Sequence, residues 1–112
     1  MKLPGAEKAL VDAYKLHDYC LNPRHPYGRH KARVFASALR ITQADTEFLR
    51  QRLIGAAMNC EARPGQIDEY GRRYIVDFEC VHRDRRATIR SGWIVREGES
   101  FPRLTTCYVL SE

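Results

Sequence analysis

The chain has 112 residues, 44% of them hydrophobic and 29% charged, which provides apolar material for one core and too little length for two. These are the values of a folding domain rather than a disordered chain, and no apolar run approaches the roughly 20 residues of a membrane-spanning helix. The formal charge of +5 rests on 15 Arg against 4 Lys; the bias fits an anionic partner held through bidentate phosphate contacts, and GC-rich coding would also produce it.

In chain order, residues 1–12 contain Pro4-Gly5 and then Ala9-Leu10-Val11, a short edge strand or an extended lead-in. Over residues 13–21, Tyr14, Leu16 or His17, and Leu21 fall near helical spacing, which predicts a short helix ending at Asn22-Pro23. Pro23, Pro26 and Gly28 then stiffen a loop, and from His30 the residues Ala32, Phe35 and Leu39 share one helical face. Gly28 is placed to act as N-cap of this second helix. Its free backbone N–H groups would then lie at the positive end of the helix dipole beside Arg29, His30 and Lys31, an arrangement suited to an anion such as phosphate. Thr42 with Asp45 forms a capping box, predicting a third helix through Phe48, Leu49, Leu53 and Ala56 or Ala57 to about Asn59, with Ile41 as a hydrophobic staple.

After Asn59 the period changes to alternation. Residues 61–68 read as a weak strand and Glu69-Tyr70-Gly71 as a turn; Tyr74, Val76, Phe78 and Cys80 then mark the apolar face of a half-buried strand. A turn over residues 82–86 leads to a strand with Ile89, Ser91, Trp93 and Val95 on one side. A loop over residues 97–102 leads to a last strand with Leu104, Thr106, Tyr108 and Leu110 on one face. Helices first and strands second predict an α+β domain over residues 1–112, with N-terminal helices packed on one face of an antiparallel meander of about four strands.

The chemistry-bearing residues form two groups. His25, Arg29, His30, Lys31 and Arg33 bring proton-transfer and phosphate-binding side chains together on the stiffened loop and helix start; a solvated basic helix end is the plainer account of the same residues. Arg90 and Trp93 on one strand, with Arg103, Thr105, Thr106 and Tyr108 on the next, offer cations, hydroxyls and an aromatic able to stack on a base. Strand propensity alone accounts for the Thr, Tyr and Trp, leaving Arg90 and Arg103 to explain. His25 and His30, even with Cys20, match no familiar metal-ligand spacing, and there is no Walker loop, GxGxxG, GxSxG or HExxH, so neither metal nor organic cofactor is expected. Cys20, Cys60, Cys80 and Cys107 are scattered, with no CxxC pair and no signal-peptide pattern. They are expected as reduced, mostly buried thiols in a cytoplasmic protein.

Leu3-Pro4 with Ala6-Glu7-Lys8-Ala9, Lys15-Leu16 through Tyr19, Leu21-Asn22-Pro23 with His25-Pro26, Gly28, Lys31-Ala32 and Phe35 carry a resemblance, as do Tyr70-Gly71, Trp93 and Pro102-Arg103-Leu104-Thr105. Over nearly its whole length the chain resembles a small, uncharacterised bacterial domain family found free-standing and at the C-terminal ends of polymorphic or phage-associated toxins. By analogy the resemblance implies a nuclease module of the barnase, EndoU, colicin D and RelE kind, which cleaves RNA without metal. It implies His30 or His25 in acid–base roles, Lys31, Arg90 and Arg103 as phosphate stabilisers, and Thr105 as an orienting hydroxyl; Gly28, Arg29, Arg33, Trp93 and Tyr108 are the expected RNA contacts. The expected partners are RNA and a cognate inhibitor protein. The alternative is a non-enzymatic basic module that binds a protein partner.

Overall fold

The computed structural model describes residues 1–110. After a 3₁₀ turn over Ala6–Lys8, the first α-helical turn, α1 (Ala13–Lys15), is capped by Asp12, whose carboxylate accepts the Tyr14 N–H at 2.9 Å. The chain continues as a π-helical turn over Leu16–Cys20, closed where Leu21 N–H donates to the Leu16 carbonyl at 2.8 Å. Helix α2 (Arg29–Leu39) buries Ala32, Phe35 and Leu39 at i, i+3 and i+7. Helix α3 (Thr46–Asn59) follows a 3₁₀ turn over Gln43–Asp45, where Asp45 accepts the Thr42 N–H at 2.9 Å as half of the capping box; Leu49, Leu53, Ala56 and Ala57 form its buried face.

Strands β1 (Ala62–Asp68), β2 (Gly71–His82), β3 (Arg85–Arg96) and β4 (Arg103–Val109) form one antiparallel sheet in that order, an α+β meander. Helix α2 lies against β2, β3 and β4 and α3 against β2, so both cover the same face. The core between them is built on Trp93, Phe35, Leu39, Leu49, Leu53, Val76 and Ile89. Ser91 is the one buried polar residue among those described. Its hydroxyl donates to the Val76 carbonyl at 2.7 Å and accepts the Trp93 indole N–H at 2.9 Å, so neither polar group is left unpaired.

The faces of β4 differ from the expected alternation. Gly92 stands opposite Thr106 but Trp93 opposite Leu104, which makes Thr105 an extra, bulged residue. Leu104, Cys107 and Val109 therefore face the core while Thr106 and Tyr108 lie on the outer face; they do not form a shared Leu104, Thr106, Tyr108 and Leu110 face. Simple alternation cannot register a bulge, which shifts every later residue by one.

The lead-in is not a strand of its own. Lys2 bridges to Glu61 at the start of the sheet, and Leu10 bridges in parallel to Arg103, with Leu10 N–H donating to Pro102 and Leu104 N–H to Leu10. No helix among the described residues is long and apolar enough to cross a membrane.

All four cysteines are free, with Cys20, Cys80 and Cys107 buried and Cys60 half-buried. An alkylating reagent should label Cys60 first in the native protein and all four thiols only after unfolding, read by intact mass. A pair that stays unlabelled after unfolding without reductant would contradict this.

Candidate active site

The loop before α2 is held by its own polar groups. Asn22 accepts the Arg24 N–H through its side chain at 2.9 Å, and the His25 carbonyl accepts the Arg29 N–H at 3.0 Å. His25 Nδ1 accepts two backbone N–H groups, from Tyr27 and Gly28, each at 3.0 Å. That nitrogen must be unprotonated to do so, which places the ring proton on Nε2. The ring also meets Tyr19 edge-on, with centroids 4.9 Å apart. Gly28 is buried against the same residue: a Cβ there would stand 2.1 Å from the Tyr19 carbonyl oxygen. The π turn and the start of α2 are thus packed backbone to backbone at Tyr19 and Gly28.

This packing positions Lys31. Its ammonium donates to the Tyr19 hydroxyl at 3.0 Å and lies 6.0 Å from the centre of the Tyr108 ring. The hydrogen bond to Tyr19 raises the Lys31 pKa further above its ordinary value, so this side chain is a fixed cation near neutral pH. Tyr108 stands opposite Arg90 across the β3–β4 pair, on the outer face of the sheet. The Arg90 guanidinium forks onto Asp77 at 2.8 and 2.9 Å, and the Tyr108 hydroxyl adjoins it. Asp77 first, and then Tyr108, raise the Arg90 pKa, while Arg90 holds the Asp77 carboxyl below the usual range. Two residues along β3, Gly92 leaves room for the bulged Thr105: its hydroxyl lies 2.9 Å from where a Gly92 Cβ would be. Lys31, Tyr19, Tyr108 and Arg90 therefore come from the helical layer and the last two strands to the β3–β4 side of the sheet, while Thr105 at the bulge lines one cavity with Tyr19 and another with Arg103.

The remaining expected site residues are placed differently. His30 is exposed and, with Lys31 and Tyr108, lines a cavity of about 330 Å³. His25 Nδ1 is committed to the loop, and Arg29 is exposed at the helix start. Arg33 lines a separate cavity with Leu21, Pro23 and Ala36, on the other flank of α2. Trp93 is 1% exposed and points into the core, so its ring is closed to a stacking base. Arg103 lies at the opposite end of β4 from Tyr108, roughly 15 Å away along the strand. There it forks onto Glu99 at 2.9 and 2.8 Å and covers Phe101. Among the described residues no group of three or more His, Cys, Asp or Glu converges as metal ligands.

A family model described as a domain of unknown function, DUF6883, matches residues 2–111. The chain belongs to this family. Comparison with curated proteins returns no match. Among solved structures, this DUF6883 domain is similar to a chain of a contact-dependent growth inhibition toxin–immunity protein complex from Klebsiella pneumoniae 342. The TM-score is 0.68 at 16% identity, over 90% of this chain and 99% of that one. At that identity the similarity is one of fold.

Sequence reasoning missed two members of the DUF6883 cluster. Asp77 had a signal: the two-residue turn at Arg83-Asp84 sets the β2–β3 register and places Asp77 opposite Arg90. Tyr19 had none, because its position depends on a π turn that breaks the 3.6-residue period.

Proposed function

We propose that this domain is a metal-independent ribonuclease of the toxin type, acting at the Lys31–Tyr108–Arg90 edge. The observation that carries the reading is the convergence of Lys31 from α2 and the Asp77-paired Arg90 from β3 on the same tyrosine. Side-chain cations so placed would hold the non-bridging oxygens of a phosphodiester and stabilise the charge of its phosphorane. In the reaction, a base removes the ribose 2′-OH proton, O2′ bonds to phosphorus, and the bond to the 5′-oxygen breaks as an acid supplies a proton. The products are a 2′,3′-cyclic phosphate and a 5′-hydroxyl. His30, exposed in the cavity beside Lys31, takes an acid–base role, and Thr105 orients the phosphate from the bulge. His25 and Arg103 hold the loop and the β4 start instead.

The test is cleavage of an RNA oligonucleotide by the purified protein in chelator, at several salt concentrations. Cleavage should persist in chelator, fail on the all-deoxy analogue, and weaken steeply with salt as phosphate contacts are screened. Loss of cleavage in chelator, or no cleavage of any RNA, would remove the reading.

A second reading is supported by the toxin–immunity complex to which one similar chain belongs: a protein partner that covers the basic surface. A partner-binding module without catalysis should express quietly and in quantity, whereas a ribonuclease should arrest a cell that makes it without an inhibitor.

A further inference from the structure

Helix α2 and the end of β4 enclose a groove that runs on beyond the Lys31–Arg90 chemistry. On α2, His30, Val34, Ser37 and Ala38 fall at i, i+4, i+7 and i+8, one side of the helix. The cavity beside Lys31 is walled by Val34 and Val109. The same two valines wall a second cavity of about 530 Å³ that runs on past Ser37 to Asp84, Arg85 and Arg86 in the β2–β3 turn. The two cavities share these walls and lie end to end along α2, which rises about 10 Å from His30 to Ser37.

Its charges sit at the two ends, with an apolar stretch between. At the near end are Lys31 and His30. At the far end Arg85 reaches the Ser37 carbonyl at 3.4 Å and Arg86 pairs with Glu79 at 2.9 Å. The Asp84 carboxylate in this wall is shared between Arg40 at 3.6 Å and Arg85 at 3.7 Å, so it does not reverse the local sign. These ion pairs are exposed, and exchanging a carboxylate for a phosphate there costs little. Cation, apolar floor, cation is the sequence of surfaces that phosphate, base and phosphate present along an unpaired strand. A duplex turns its base faces inward and offers nothing to Val34 and Val109, while an unpaired base has a face to lay on them.

We propose that this groove seats a single-stranded RNA segment adjoining the scissile phosphate, with a base face on Val34, where the buried Val109 closes the floor, and a phosphate on Arg85 and Arg86. The proposal rests on the ribonuclease reading and specifies the form of RNA that the site takes.

The experiment uses a fluorescent 2′-O-methyl oligoribonucleotide, which binds without being cut, as a single strand and as a duplex with its complement. Cleavage kinetics on the unmodified strand run in parallel. The wild-type protein should prefer the single strand by about tenfold or more. The double variant Arg85→Ala/Arg86→Ala should bind it about tenfold more weakly, with the log–log salt slope reduced by about 1. In cleavage this variant should raise KM far more than it lowers kcat. Val34→Glu, an exposed helix position, should weaken binding in the same way, so the proposal does not depend on the double variant folding. Arg72→Ala, on an exposed side chain at the far end of β2, should change neither. If RNA is cut while both groove variants keep the wild-type KM, the groove is not the track although the ribonuclease reading stands. If the wild type binds neither strand nor duplex, both readings fall and the surface belongs to a protein partner.

Discussion

Replacing Lys31 with alanine should reduce RNA cleavage by about 10²–10³-fold, the usual loss when one preorganised donor to a developing oxyanion is removed. The ammonium is held in place before any substrate arrives: the Tyr19 hydroxyl accepts its hydrogen bond at 3.0 Å, the Tyr19 ring centre lies 5.0 Å away, and the Tyr108 ring centre lies 6.0 Å away. Little of that stabilises the fold, because the side chain is at the surface and water replaces the hydrogen bond. The thermal midpoint should therefore move by only a few degrees. Lys31→Arg should not rescue activity, since a planar fork does not reproduce a point charge on the Tyr19 hydroxyl. Toxicity in an expressing cell should follow the same order. An alanine variant that cuts RNA at the wild-type rate would exclude Lys31 from the chemistry.

Gly28→Ala should damage stability and activity together. The new methyl group would meet the Tyr19 carbonyl oxygen at 2.1 Å and its carbon at 2.9 Å, and backbone cannot swing aside as a long side chain does. Either the π turn or the start of α2 must retreat, at a cost of about 1–3 kcal/mol, the typical range for overpacking. That retreat moves Tyr19 away from Lys31, so cleavage should fall further than the lost stability alone would dictate at a temperature where the variant is still folded. Gly55→Ala is the internal control. Gly55 lies within α3 with nothing within 4 Å of its would-be Cβ, so alanine there should be neutral or stabilising by about 0.5–1 kcal/mol. Denaturant midpoints for the two variants would separate these outcomes, and a Gly28→Ala protein with the wild-type midpoint would refute the tight contact.

The helical half of the molecule was legible because local rules decide it. Ala32, Phe35 and Leu39 set the face of α2, and Thr42 with Asp45 set the entry to α3. The inward face of β2 followed from alternation at Tyr74, Val76, Phe78 and Cys80. What stayed hidden depends on geometry that no local pattern records. The extra residue Thr105 exchanges the faces of β4 and brings Tyr108 out beside Arg90. His25 looks like a catalytic base in sequence, and its acceptor role toward two loop N–H groups appears only in three dimensions. Trp93 shows the reverse: alternation with Ile89 and Ser91 placed it in the core, and its appeal as a stacking platform was chemical rather than positional.

The order of elements also sets when the cluster comes into being. Lys31 and Tyr19 are synthesised early and belong to short-range structure, whereas Tyr108 lies at the end of the last strand and Leu10 waits for Arg103 to complete its bridge. Most of the chain separates these partners, and contacts so distant in sequence form late because the intervening loop must first be closed. A growing polypeptide on the ribosome thus carries the loop and the lysine but no assembled cation pair. The surface that would act on RNA does not exist until synthesis of the domain is all but finished.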